Sequence, residues 1–551
     1  FQVTNTWTTI WGNHTSKWGV DLNRVRNDLL QTQTFDPRGK FLFAAGQTSA
    51  PGAANSSANA FVSFLLDLPN QIGRDLYVEF PTVRQSYFYF FGQDKWQISR
   101  KLTIDLGLRY ELWPAATSHY NGQFVNYDPS NNSLRVGGVG DIPKNLGIEA
   151  SKHFVPRFGL AYRLNDKTVL RGAFGVSYLF RDTSQYNFPS NQVSELDAAN
   201  AYVPTGSMQV GFPAPILLPI PSNGIISNAP LALTYGVMPQ DLVHGHVQSW
   251  NFAVQRELPA GFTFEAAYVG NHGVDDPVAY QLNRGLVLGV GAAGQPLNQL
   301  FGRRTSTTTT IGVSTHYNSL QTKLNRRYTN GLSITTSYTW SKAMDYCSDR
   351  LCTPANQFDF ARNYARSDFD HTQVYVQSFL YELPFGKAKK WLNSGFTSQV
   401  LGGWQINGVF TAQTGAPINI TYSNAGLNAP FINNTPNVNG SVAVYGKVTT
   451  NQTWFDTSKF SAPAALAFGN VGRNILTGPD LVNLDFSIFR KFSLFKERVG
   501  LELRGESFNL TNTPHFNNPG GTFGSSTFGV VTSTVSATDS RSLQLGAKIS
   551  F

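Results

Sequence analysis

The chain has 551 residues, of which only 14% are charged, against the roughly 25% of ordinary globular proteins, and 13% are aromatic. The formal net charge of +9 invites a nucleic-acid reading, but Lys and Arg are scattered along the predicted strands rather than gathered in a stripe, which argues against that class. No apolar run approaches the ~18 residues of a membrane-crossing helix, so the apolar character must be carried by alternation.

In chain order, residues 1–11 read as a strand, 12–16 as a turn and 17–33 as a second strand, with a third beginning near Phe41. Residues 47–59 are a small-residue loop and 59–67 a short helix. Residues 72–82 are a further strand candidate, weakened by Pro81. The pattern then sharpens: 86–99 turns at Arg100 and Lys101 into 102–113, where Leu102, Ile104, Leu106, Leu108, Tyr110 and Leu112 alternate with Thr103, Asp105, Gly107, Arg109 and Glu111. Period two marks a strand with one apolar and one polar face. Residues 157–164 pair with 168–180, 248–258 with 262–269, and 317–328 with 332–340. Next come 371–385 with 403–413, then 482–492 with 499–508. The last ten residues close the series: Leu543, Leu545, Ala547, Ile549 and Phe551 fall on one face, and Ser542, Gln544, Gly546, Lys548 and Ser550 on the other.

Connections within these hairpins are mostly short, and those between hairpins are long. Strict short–long alternation gives one end of the sheet tight turns and the other large loops, as in an antiparallel outer-membrane β-barrel with periplasmic turns and extracellular loops. The final strand follows a long loop, so Phe551 ends on the short-turn side. A propeller would show a fixed repeat, and none is found. The count is 16 strands, or 17 with 72–82; parity favours 17, because an extra strand before Ser86 keeps all short turns on one side.

The segment Gly92-Gln-Asp-Lys-Trp-Gln-Ile98, followed by Leu102-Thr-Ile-Asp-Leu-Gly-Leu-Arg-Tyr-Glu111, resembles a hairpin of TonB-dependent receptors. Pro156-Arg-Phe-Gly-Leu-Ala-Tyr162, Trp250-Asn-Phe-Ala-Val-Gln-Arg-Glu-Leu258, Tyr317-Asn-Ser-Leu-Gln321, Tyr338-Thr-Trp-Ser-Lys342 and Gly505-Glu-Ser-Phe-Asn-Leu-Thr-Asn512 are similar to the Oar-like branch of that family, which often carries a carboxypeptidase-regulatory-like domain. The resemblance implies a 22-stranded barrel, a plug inside it and a segment that contacts TonB. On this reading residues 1–551 are the carboxy-terminal part of the barrel, with five or six strands, the plug and any regulatory-like domain absent. It implies a bacterial outer-membrane receptor for a large or scarce solute (carbohydrate, peptide or metal chelate), coupled through the plug to the TonB–ExbB–ExbD system. The alternatives are a surface or secretion-associated protein and a passive porin. The expected partners are outer-membrane lipid and lipopolysaccharide, the barrel-assembly machinery and an extracellular ligand. Leu543, Leu545, Ile549 and Phe551 resemble a barrel-insertion signal. Arg109, Glu111, Arg163, Glu502, Arg504 and Glu506 are expected to face the lumen as plug contacts.

Cys347 and Cys352 are the only cysteines. With no nearby His to complete a zinc set, they read as a local disulfide in an exposed loop or as free thiols. Gly289-Val-Gly-Ala-Ala-Gly294 fits the dinucleotide pattern but lacks a βαβ setting. His244 with His246, and Asp368 with Asp370 and His371, read as a polar loop and a loop-to-strand junction rather than as metal or acid–base clusters. No G-x-S-x-G or H-E-x-x-H motif is present, so no catalysis, cofactor or metal is expected. Trp113, Tyr178, Trp250, Tyr338 and Trp340, near strand ends, are expected to form interfacial girdles.

Overall fold

A computed structural model of the chain describes residues 1–28, 35–49, 56–77, 82–179, 191–198, 202–213, 219–240, 244–349, 351–387, 389–449, 452–494, 499–536 and 540–551. Fifteen strands form the wall, each antiparallel to the next in sequence: β1 (Gln2–Trp11), β2 (His14–Asp28), β3 (Thr82–Trp96), β4 (Leu102–Trp113), β5 (Ser151–Asn165), β6 (Thr168–Tyr178), β7 (His246–Leu258), β8 (Phe262–Gln281), β9 (Thr307–Thr329), β10 (Leu332–Asp345), β11 (Gln373–Glu382), β12 (Trp404–Gln413), β13 (Leu481–Leu494), β14 (Val499–Phe508) and β15 (Ser542–Ser550). The fold class is the expected all-β antiparallel barrel wall.

Among the described residues the hydrogen-bonded sheet holds 17 strands, but its membership differs from expectation. The two additional members are short loop segments laid on the wall, Tyr235–Val237 beside Thr307–Thr309 and Ala365–Arg366 beside the end of β10. The strand expected near Phe41 and the one at 72–82 leave the wall: Lys40–Leu42, Gln71–Tyr77 and Asn191–Asp197 make a separate three-stranded sheet. The parity requirement is thus met by removing a strand rather than adding one. Pro81, the distal end of the predicted second strand, Phe180 and turn residues 495–498 lie outside the described residues.

Register carries the two-faced pattern around the wall. One row reads Ile104, Leu160, Gly172, Phe252, Tyr268, Leu320, Trp340 across neighbouring strands. The row one residue away reads Asp105, Gly159, Ala173, Asn251, Val269, Ser319, Ser341. Because the pleat alternates strictly, these rows face opposite sides. Large side chains on the apolar face lie open, Leu545 at 90% and Phe154 at 63%, whereas on the polar face Ser319 is 3% and Ser487 6% exposed. The polar face is therefore the sheltered, concave one. An apolar convex face of this extent is stable only against hydrocarbon, since each large side chain moved from water is worth about 1.5–3 kcal/mol.

Trp250, Tyr338 and Trp340 stand on that convex face. The Trp250 indole lies flat over Gly270, where a Cβ would come within 2.5 Å of the ring. Trp113 does not join this girdle. It shares parity with Arg109 and Glu111 and is buried against Tyr87, His153 and His244. Tyr178 stacks on His153 at 3.9 Å.

Candidate functional site at the long-loop mouth

A tilted strand crosses the hydrocarbon in about 9–11 residues, but β8 has 20 and β9 has 23. The surplus, bent at a bulge between Gly273 and Asp276, stands above the membrane on the long-loop side. It supports loops that carry small hydrophobic cores of their own. One core joins Val125, Tyr127, Leu134, Ile226, Leu233 and Tyr235. Another joins Ile418, Ile420, Trp454, Phe455, Phe460 and Leu476.

Two arginines tie these loops together. Arg303, with no exposed surface, lies between the rings of Tyr127 (4.9 Å) and Tyr235 (4.8 Å). Its Nη1 donates to the Leu233 carbonyl at 2.7 Å, and Nη2 donates to the Pro230 and Ala229 carbonyls at 2.9 and 3.1 Å. Both Nε and Nη2 reach Asn132 Oδ1. Burial holds both tyrosine hydroxyls above their ordinary pKa, with the nearby Arg303 charge opposing. The second is Arg473: Nη1 donates to Asp345 Oδ1 at 2.5 Å, and Nη2 to Asp368 Oδ1 at 2.8 Å and to Ser348 Oγ. This clamp fixes the 345–370 loop against the 414–480 loop. Neither arginine was singled out in the sequence, because their partners lie up to 171 residues away.

Beneath the clamped loop, on the concave face, is a cleft of about 730 Å³ lined by Asn271, Asp276, Pro277, Thr315, Tyr317 and Phe369 among others. That volume suits a small organic ligand. Cys347 is on its wall and is disulfide-bonded to Cys352, with Cα atoms 6.1 Å apart. The Ala279 N–H donates to the Cys352 carbonyl, stitching this loop to β8.

The structure divides the other sequence candidates. Arg109 Nε donates to Glu111 Oε1 at 2.8 Å, and Arg109 sits over the Tyr89 ring at 4.0 Å. Arg504 bridges Glu502 at 2.7 Å and Glu506 at 3.3 Å. Both groups and Arg163, which opposes Val169, fall on the concave face by register, but they lie on β4, β14 and β5 and do not form one site. Leu543, Leu545 and Ile549 lie on the convex face of β15, and Phe551 is exposed beyond its end. The loop Asp368 serves the Arg473 clamp, Asp370 accepts from the Ala343 N–H at 2.8 Å, and His371 Nδ1 donates to the Thr414 carbonyl at 2.6 Å. His244 and His246 pack with Trp113 and Tyr178. Among the described residues no group of three or more metal-type ligands is assembled. At the glycine motif, the Gly289 and Gly291 N–H groups that a phosphate would need are already donated to Leu427 and Asn428 carbonyls.

The outer membrane beta barrel domain family matches residues 1–544. A comparison with curated protein sequences finds no match. Among solved structures, the chain is similar to the ferric enterobactin receptor of Pseudomonas aeruginosa (PfeA), at 10% identity and TM-score 0.48, covering 100% of this chain and 53% of that one. It is also similar to the FrpB iron transporter of Neisseria meningitidis, at 11% identity and TM-score 0.43, covering 98% and 54%. A third is the outer membrane transporter YddB of Escherichia coli, at 8% identity and TM-score 0.44, covering 98% and 61%. The chain spans about half the length of the solved structures it matches.

Proposed function

Because the chain belongs to the outer membrane beta barrel domain family and so lies in the bacterial outer membrane, we propose that it is the wall and mouth of a receptor that captures a large or scarce solute outside the cell. The supporting observation is the preorganised mouth: long loops with their own cores, held by Arg303 and the Arg473 clamp over a concave-face cleft. Loops that are folded before a ligand arrives do not lose ordering entropy on binding it. The solute is a carbohydrate, peptide or metal chelate, and its passage is driven by a plug that couples to the TonB–ExbB–ExbD system. The charged ladders Arg109–Glu111 and Glu502–Arg504–Glu506 are the wall's contacts to that plug.

The wall is completed by further strands of the same protein. Each of β1 and β15 has a single wall neighbour among the described residues, and both run toward the short-turn end. Strands running the same way close an antiparallel wall only through an odd number of intervening strands. A barrel of 22 strands, which the family resemblance implies, would supply seven beyond the fifteen described.

The test is uptake of labelled oligosaccharides, peptides and chelates by cells with the intact gene, without it, and with it but lacking TonB. Loss of one solute in both deficient strains supports the reading. Unchanged uptake of all of them removes it in favour of an adhesive barrel, and uptake that needs the gene but not TonB makes the protein a passive pore.

A further inference from the structure

Connections at the short-turn end are two to five residues long except one, residues 383–403 between β11 and β12. That segment contains three lysines and no acidic residue. It includes a short helix, α1 (Gly395–Leu401), on which Phe396 and Val400 are one turn apart and share a side. Phe396 is 78% and Trp391 52% exposed, and Leu392, Val400 and Leu401 are open too. Apart from the Phe385 ring 6.1 Å from Trp391, these side chains stand open, and they belong to the end of the molecule that meets the inner leaflet.

Its placement is fixed by the wall. Trp404 and Arg490 oppose each other across β12 and β13 on the convex face. Trp404 Nε1 donates to the Val400 carbonyl at 3.1 Å, and Arg490 Nη1 to the same carbonyl at 2.7 Å. The helix is therefore pinned to the lipid-facing side rather than across the lumen. The Lys389 ammonium is committed to Glu382 at 2.9 Å. Lys390 lies over the Trp391 ring at 5.3 Å, Lys387 is exposed, and the Arg490 guanidinium covers Phe492 at 4.1 Å. Apolar side chains flanked by bases and free of acids are the composition of a helix that lies in a membrane interface and favours anionic lipid.

We propose that residues 383–387 and 389–403 form an interfacial anchor in the periplasmic leaflet, with Trp391, Phe396 and Val400 among the acyl chains and Lys387, Lys390 and Arg490 gathering anionic phospholipid headgroups. A water-filled gap or a periplasmic protein over the same patch is the competing occupant.

The test uses the purified full-length protein in phosphatidylethanolamine nanodiscs carrying equal fractions of brominated phosphatidylglycerol or brominated phosphatidylcholine. Trp391 emission is isolated as the difference between wild type and Trp391→Phe. Both lipids quench it, phosphatidylglycerol more strongly. In the Lys387→Gln/Lys390→Gln variant, whose substitutions lie outside the wall, that preference falls by about fivefold per lysine. Equal quenching by the two lipids overturns the headgroup assignment, and no quenching by either overturns the anchor.

Discussion

Replacing Arg303 by Met opens the extracellular loops while leaving the wall intact. A buried charge exchanged for an apolar side chain is often tolerated when its partners are exchanged as well. Here they cannot be, because Ala229, Pro230 and Leu233 present backbone carbonyls. The variant removes the Arg303 donor from those three acceptors and from Asn132 Oδ1. Each keeps a second donor (Asn132 Nδ2, the Leu233 N–H, Thr305 Oγ1 and the Tyr127 hydroxyl respectively), so each loss is that of one hydrogen bond, about 1–1.5 kcal/mol. Partial relaxation toward water puts the total near 4 kcal/mol, about three orders of magnitude in a local opening equilibrium. Lys keeps the charge but not the planar fork, so Arg303→Lys falls between Met and wild type. Hydrogen exchange by mass spectrometry on residues 125–136 and 225–237 reads this directly. Exchange at the wild-type rate in Arg303→Met refutes the keystone role. Equal acceleration in the wall strands refutes its being local.

Arg473→Ala releases the 345–370 loop, so limited proteolysis of intact cells cuts there in the variant and not in wild type; Arg473→Lys, which reaches one carboxylate at a time, gives an intermediate rate. Gly270→Val forces the Trp250 indole off its seat and lowers heat resistance of the folded band on gels, whereas Gly107→Val, with only ordinary side-chain contacts 3.6 Å or more away, does so less. Leu545→Arg places a charge on the lipid side, costing about 2–4 kcal/mol near the bilayer centre, and reduces assembled protein; Gln544→Arg, one residue away on the concave face, leaves assembly unchanged.

What could be read from the sequence follows from what alternation encodes. Period two survives wherever one face meets lipid, so β4 and β14 were legible to the residue, and β10 at its start, although it runs on from the expected end at 340 to Asp345. The apolar runs near Phe41 and at 72–82 carry the same local signal but pair with each other and with Asn191–Asp197 above the membrane, a choice that local pattern does not record. Thr307–Thr310 falls within the long connection expected between 269 and 317, yet it continues β9 beside Ala279–Gln281; four identical side chains show no alternation to mark the strand. Trp113 could have been placed, since it shares parity with Arg109 and Glu111; its position at a strand end drew it into the girdle instead. Arg303 and Arg473 had no local signal, since their carbonyl and carboxylate partners come from distant loops.

The direct test of the two-faced wall is nitroxide scanning along β7 from Trp250 to Gln255 in lipid nanodiscs, using one introduced cysteine at a time, with Cys347 and Cys352 held in their disulfide. Oxygen accessibility peaks at Trp250, Phe252 and Val254, and accessibility to a water-soluble nickel chelate peaks at Asn251, Ala253 and Gln255, half a period out of phase. The two profiles rising and falling together contradict a wall with lipid on one side and water on the other.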